Sequence, residues 1–119
     1  MKKTLVLGAS LKTDRYSNYA IHSLINAKHK VVGVGLKEGE VDGTNIYKGF
    51  PKFENIDTVT LYLNSKRQKE YYDYVISLHP KRVIFNPGTK NMEFEKLLEE
   101  NSIFYEDACT LVLLSTSQY

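Results

Sequence analysis

Short runs of apolar and β-branched residues alternate along this chain with segments of helical periodicity, and no other feature limits the possible folds as much. Continuous runs of this kind are typical of parallel strands buried on both faces, whereas a strand with one solvated face alternates apolar and polar residues. The runs predict strands at residues 4–7, 31–34, 58–63, 82–85 and 103–105.

Between these runs, apolar residues recur at the three- and four-residue spacing of helices. We expect the first helix to have Ser17 as its N-cap, because a serine hydroxyl accepts hydrogen bonds from the first free amides of a helix. The stretch 35–53 is rich in glycine and is expected to be a loop with one short extended piece at 45–47. Further helices are predicted at residues 66–78, 91–101 and 108–114.

The alternation of strands and helices predicts an α/β fold in which helices cover both faces of a parallel sheet. Right-handed crossovers and short connections then leave few topologies. We predict a Rossmann-like three-layer domain with a five-stranded, mostly parallel sheet in the order 3-2-1-4-5. The 119 residues fit one domain spanning 1–119.

Composition excludes several classes of function. Sixteen basic and fourteen acidic residues give a formal net charge of +2, and the basic residues are scattered, so we expect no nucleic-acid partner. The single cysteine, Cys109, rules out an intramolecular disulfide, and the three histidines lack cysteines at zinc-binding spacing. The apolar runs are too short for a signal peptide or a membrane span. We therefore expect a cytoplasmic protein without a metal site or a membrane partner.

The turn that follows the first strand is the strongest local signal for a binding site. Gly8, Ala9 and Ser10 end the strand at the position where doubly wound folds bind phosphate. Arg15 can pair with a pyrophosphate through two hydrogen bonds, while the side chains of two further residues can donate or cap: Ser17 and Asn18. The GxGxxG fingerprint and the P-loop are both absent. An ordinary turn at the end of a strand therefore stays an open alternative.

The chain resembles the stand-alone coenzyme A-binding domain family, which is related to the N-terminal domain of the succinyl-CoA synthetase alpha subunit. The resemblance begins with the segment LVLGAS, the pattern R-x-S-N at 15–18, and the strand VVGV. It continues through the segments GTNIY at 43–47 and DTV at 57–59, and it ends with NPGTKN at 86–91 and the late cysteine Cys109. The resemblance thus covers most of the chain.

The resemblance implies a ligand, coenzyme A, and a place for each of its parts. Leu36 would pack on the adenine, and Lys37 would meet the 3′-phosphate of the ribose. Two turns would flank the nucleotide, formed by Leu63 and Asn64 and by Asn86, Pro87 and Gly88. The pyrophosphate would be held by residues of the first loop: Gly8, Ala9, Ser10, Arg15 and Ser17.

Lys37 fits this ligand on physical grounds as well. A site for NAD places a carboxylate after the second strand to bind the ribose hydroxyls, whereas this chain has Leu36 and Lys37 there. A cation at that position suits a phosphorylated ribose. The alternative is that Lys37 is one more solvated lysine of a surface loop.

We therefore expect non-catalytic binding of coenzyme A or an acyl-CoA, a small-molecule nucleotide ligand. An NAD(H)-binding redox enzyme or sensor of similar fold is the first alternative, and an interaction scaffold without a ligand is the second. A phosphoacceptor domain is excluded because acidic residues are missing after the first and third strands. For Cys109, inert packing competes with a mixed disulfide to the thiol of the coenzyme. The apolar segment 111–114 leaves a homodimer open.

Overall fold

A seven-stranded sheet, covered by helices on both faces, organises the chain. The structure is a computed structural model that describes residues 1–119. The strands are β1 (Thr4–Ala9), β2 (Val31–Gly35), β3 (Gly39–Val41), β4 (Thr44–Tyr47), β5 (Thr58–Leu61), β6 (Arg82–Phe85) and β7 (Phe104–Asp107). The helices are α1 (Tyr16–Asn26), α2 (Ser65–Gln68), a 3-10 turn (Lys69–Tyr71), α3 (Tyr72–Leu78), α4 (Met92–Glu100) and α5 (Thr110–Ser115).

The strand order is β3-β4-β2-β1-β5-β6-β7, and every neighbouring pair is parallel except β3 with β4. The prediction of a mostly parallel, Rossmann-like sheet is confirmed. The predicted five strands in the order 3-2-1-4-5 are wrong, because the strand that begins at Thr58 pairs with β1 and not with β2. The place beside β2 is taken by β4, in the stretch 35–53 for which the sequence predicts mainly a loop.

A tight hairpin joins β3 to β4, and only β4 corresponds to the extended piece expected at 45–47. Its turn consists of Asp42 and Gly43, which both have positive φ angles, of 50° and 81°. Asp-Gly is the preferred pair for a two-residue hairpin turn, and β4 alternates buried and exposed residues as a half-solvated strand does. The sequence therefore carries this signal, but each strand is only three or four residues long.

Two hydrophobic clusters hold the helices on the two faces of the sheet. The larger cluster packs α3 and α4 on one face, with Phe85, Phe94 and Leu98 among its buried members. The smaller cluster packs α1 on the other face through Ile21 and Leu24. Because β1 and β5 are buried on both faces, side chains from this central pair of strands pack towards both layers of helices. None of the helices is long and apolar enough to cross a bilayer.

Candidate functional site

The carboxyl ends of β1, β2, β5 and β6 meet at one edge of the sheet, and β1 is the strand at which the chain order reverses. The β1 strand ends in a bulge at Gly8, since Leu7 pairs with Val34 but the next paired residue is Ala9, with Gly35. The φ angle of Gly8 is +96°, and a Cβ atom there would lie 2.9 Å from the carbonyl carbon of Tyr62. Only glycine fits this bulge, which turns the chain away from the sheet towards the loop before α1.

Glycine is also required on the neighbouring strand. A Cβ atom at Gly35 would lie 2.1 Å from the carbonyl oxygen of Ala9. The backbones of β1 and β2 therefore approach each other closely where both strands end. At this close approach, main chain rather than side chains borders the first loop. The loop lies where the strand order reverses, and doubly wound folds bind ligands at such a point.

The loop after β1 leads to an exposed start of α1. Arg15 is the N-cap residue of this helix, but its side chain makes no capping hydrogen bond, and no acidic residue lies in the first turn. The amides of Tyr16 and Ser17 have no hydrogen-bond partner and are able to bind an anion, whereas the Asn18 amide donates to the Arg15 carbonyl at 3.0 Å. The prediction that Ser17 caps the helix is wrong: Ser17 lies inside α1 and is buried. Asn18 is buried too, and its Nδ2 donates to the carbonyl oxygen of Ser10 at 3.0 Å, which ties the loop to the helix.

Cations without carboxylate partners project from this edge. Arg15 and Lys37 are exposed, and neither has a carboxylate oxygen within 4 Å. Leu36 directly follows β2 and is 63% exposed. An exposed leucine beside an unpaired lysine offers an apolar surface for a base and a charge for a phosphate.

A buried hydrogen-bond network lies directly below the same edge. The Nδ2 atom of Asn86 donates to Thr60 Oγ1 at 2.6 Å and to the Leu61 carbonyl at 2.9 Å. Its Oδ1 accepts from the Thr110 amide at 2.8 Å, which is the first amide of α5 and has no partner within that helix. The hydroxyls of Thr60 and Thr110 are 2.8 Å apart. Asn86 thus joins β5, β6 and α5 at one point and presents no free polar atom to a ligand.

Gln68 fixes the two turns that flank the edge. It is completely buried, and its Nε2 donates to the carbonyl oxygens of Leu63 and Thr89, at 2.8 and 2.7 Å. The turn at Pro87 and Gly88 is closed by a 3.0 Å hydrogen bond from the Thr89 amide to the Asn86 carbonyl. The sequence predicts an ordinary helix around Gln68 and misses this role, because only burial distinguishes it from a solvated glutamine.

The comparisons with known proteins point to one family. Residues 2–115 match the model of a family described as the CoA binding domain. The chain belongs to this CoA-binding family. No curated protein matches the chain.

Solved structures of other proteins share this fold over nearly the whole length of this chain. An uncharacterized protein with a crystal structure is 50% identical, with a TM-score of 0.97 over 100% of this chain and 98% of its own. A hypothetical protein from Pyrococcus horikoshii OT3 is 27% identical, with a TM-score of 0.88 over 97% of this chain and 82% of its own. The cell-free ID.343 protein from Thermus thermophilus has a TM-score of 0.87 at 23% identity, over 99% and 90% of the two chains.

The residues predicted to form the site lie on this one edge of the domain but divide into two groups. One group is exposed and free to contact a ligand: Arg15, Leu36, Lys37, Asn64, Pro87 and Gly88. The side chain of Asn64 also caps α2 by accepting from the Arg67 amide at 2.9 Å. The other group is buried and holds the main chain in place: Ala9, Ser17, Asn18, Leu63 and Asn86. Gly8 and Ser10 are partly buried between the two.

Tyr62 and Cys109 are two further groups near this edge. Burial, with the charge of Cys109 as a second cause, raises the pKa of Tyr62 well above its ordinary value. The hydroxyl oxygen of Tyr62 is buried without a hydrogen-bond partner. Cys109 is partly exposed and directly precedes α5. The sequence identifies Cys109 as the only thiol but offers no reason to single out Tyr62 from nine tyrosines.

Two carboxylates and one lysine cluster beside the turn that follows β6. Lys90 Nζ lies 3.1 Å from Asp107 Oδ2 and 3.5 Å from Glu95 Oε1. The side chain of Glu95 is only 9% exposed, and its Oε2 has no partner. Burial, followed by the neighbouring carboxylate of Asp107, raises the pKa of Glu95 above its ordinary value of 4.5. The protonated form of Glu95 is therefore favoured by folding.

This shift predicts a pH-dependent stability difference between the wild type and Glu95→Gln. A raised pKa means that the contribution of Glu95 is fully present below pH 4.5 and is lost as the pH rises through the folded-state pKa. The variant cannot ionise at this position, so its stability relative to wild type should increase with pH across that window. Urea unfolding at several pH values measures the difference. The control is Glu100→Gln, on the exposed side of the same helix, and an equal change for both variants would contradict the assignment.

Proposed function

We propose that this domain binds coenzyme A or an acyl-CoA without catalysing a reaction, and that the pyrophosphate lies against the loop after β1 and the start of α1. The observation that carries the proposal is the pair of unpaired cations, Arg15 and Lys37, which follow β1 and β2 at the edge of the sheet where the strand order reverses. Free amides at the start of α1 add donors for the same phosphates. Membership of the CoA-binding family supports this choice of ligand.

The residues after β2 favour coenzyme A over NAD. An NAD site places a carboxylate there for the ribose hydroxyls, whereas here exposed Leu36 and Lys37 follow Gly35. We propose that Leu36 packs on the adenine ring and that Lys37 pairs with the 3′-phosphate. Asn86, Thr60 and Thr110 use their polar side-chain atoms for hydrogen bonds to one another, to the Leu61 carbonyl and to the Thr110 amide. We therefore give these residues a structural role and limit the proposal to binding.

A thermal unfolding panel with coenzyme A, dephospho-CoA and NADH tests the ligand. Coenzyme A at about 100 times its dissociation constant should stabilise the domain by about 2.7 kcal/mol, a shift of several degrees. Dephospho-CoA lacks the 3′-phosphate and should give a smaller shift at the same concentration. A shift with NADH alone would replace the proposal by a redox function, and no shift with any of the three would favour a scaffold without a ligand.

The variant Lys37→Gln tests the contact with the 3′-phosphate. We expect coenzyme A to bind about tenfold more weakly, the effect of losing about 1.4 kcal/mol, because the amide cannot replace the charge. The affinity for dephospho-CoA should not change, since it has no group for Lys37 to bind. Calorimetric titration measures both, and Lys96→Gln on α4 is the matched control because Lys96 is also exposed. Equal losses for the two ligands would contradict the assignment of Lys37.

A further inference from the structure

The amino edge of the sheet carries a row of charged residues that the nucleotide site does not use. The first residues of β2, β1, β5 and β6 lie in register, since Thr4 pairs with Val31 and Thr58, and Thr58 pairs with Arg82. Each strand is preceded by a charged residue, and the row across the sheet reads Lys30, Lys3, Asp57 and Lys81. Neighbouring positions in such a row are about 4.8 Å apart.

This row faces a cleft of about 650 Å³. Lys3, Lys30, Asp57 and Lys81 all line it, together with His79. Ile56 and Leu78 provide an apolar part of the wall. A cleft of this size can hold a small organic anion as well as an inorganic one.

The three lysines of the cleft have no carboxylate partners. The four ion pairs of the chain involve other residues, and Asp57 Oδ1 already accepts from the Thr58 hydroxyl at 2.7 Å. Lys3 Nζ donates to the carbonyl of Glu54, a neutral partner, at 2.9 Å. Three lysines and one aspartate leave the row with an excess of positive charge.

Folding stability accounts for only part of this arrangement, because Asp57 stands between Lys3 and Lys81 in the row and has the opposite charge to both. Like charges on directly neighbouring strands destabilise a sheet, and Lys30 and Lys3 occupy neighbouring positions at the starts of β2 and β1. A multiply charged anion in the cleft would remove this repulsion and gain contacts from several cations at once. Because five residue steps of β1 separate Thr4 from Ala9, roughly 17 Å lie between the cleft and the carboxyl edge.

We propose that this cleft is a second anion site that binds a small molecule bearing a diphosphate group, with Lys30, Lys3 and Lys81 as its ligands. The site is separate from the nucleotide site at the opposite edge and does not depend on the function proposed there. Binding weakens as the ionic strength rises, because the lysines at positions 30 and 81 are exposed to solvent.

Amide chemical shifts measured by NMR during titration with inorganic pyrophosphate, and in parallel with ADP, test the proposal. We expect pyrophosphate to change the amide chemical shifts of residues 55–57 and 79–81 in the wild type, whether or not ADP also binds. A shift with ADP as well would mean that the cleft accepts a nucleotide diphosphate, and a shift with pyrophosphate alone would mean that it accepts the free anion. No shift in these residues with either compound would overturn the proposal.

Three variants separate this site from the nucleotide site. The double variant Lys30→Gln/Lys81→Gln should weaken pyrophosphate binding at the cleft by about tenfold, whereas Lys69→Gln/Lys96→Gln, at two other exposed lysines, should not. Arg15→Gln should leave the cleft shifts unchanged, even if it weakens coenzyme A binding. Unchanged affinity in the Lys30→Gln/Lys81→Gln variant, or shifts confined to residues 8–18, would contradict the second site.

Discussion

Replacing Asn86 with alanine is expected to lower the free energy of unfolding by about 2–4 kcal/mol, because two or more buried groups lose their partners at about 1–3 kcal/mol each. The substitution removes the acceptor of the Thr110 amide and the donor to the Leu61 carbonyl and the Thr60 hydroxyl. All of these groups are buried, so water cannot replace the lost bonds. Urea unfolding should show a lower midpoint with an unchanged slope.

The matched control is Asn26→Ala, near the exposed end of α1. Surface substitutions of this kind change stability by about 0.5 kcal/mol or less. Equal effects of the two substitutions would mean that the Asn86 network does not hold the carboxyl edge together.

Replacing Gly8 with alanine is expected to cost about 2–4 kcal/mol, from backbone strain and a steric clash together. The φ angle of +96° disfavours any side chain, and the new Cβ atom would lie 2.9 Å from a main-chain carbon of Tyr62 that cannot rotate away. Because the bulge at Gly8 starts the proposed phosphate loop, we also expect weaker binding of coenzyme A. Urea unfolding and calorimetric titration measure the two effects.

The variant Gly49→Ala measures the cost of a left-handed backbone without the steric clash that a Cβ atom at Gly8 would cause. Gly49 has a φ angle of +77°, but no atom of the protein lies within 4 Å of the point that a Cβ atom would occupy. The variant should therefore show only the cost of the left-handed backbone, about 1–2 kcal/mol. If Gly8→Ala were no more destabilising than Gly49→Ala, the close contact between β1 and the chain after β5 would not be rigid.

The fold class can be predicted because the strands of a buried parallel sheet have a distinctive composition. The runs at β1, β2, β5 and β6 consist mainly of apolar and β-branched residues, and all four strands lie within two residues of the expected bounds. Which strands become neighbours in a parallel sheet depends, in contrast, on the direction of each crossover connection. The local sequence does not predict that direction. This is why the sequence places the strand at Thr58 beside β2 when it pairs with β1.

The sequence predicts which residues lie at the candidate site better than it predicts what each of their side chains does there. The glycine near the end of the first strand marks the strand at which the order reverses, because only a residue without a side chain fits there. Whether a polar residue points into the protein or out of it depends on tertiary packing. Ser17 and Asn18 are expected from the sequence to contact phosphate, yet both are buried, whereas Arg15 and Lys37 are exposed.

The central position of β1 also affects how the chain can fold during synthesis. β1 is synthesised before β5, its partner on one side, and Thr4 and Thr58 are 54 residues apart. At typical rates of about 5–20 residues per second, one edge of β1 stays unpaired for roughly 3–10 seconds. During that time β2 and α1 are the first later elements able to cover its apolar residues. A nascent chain truncated before β5 should therefore expose the unpaired main-chain edge of a strand whose side chains are mostly apolar. Chaperones bind surfaces of this kind, and aggregates form on them.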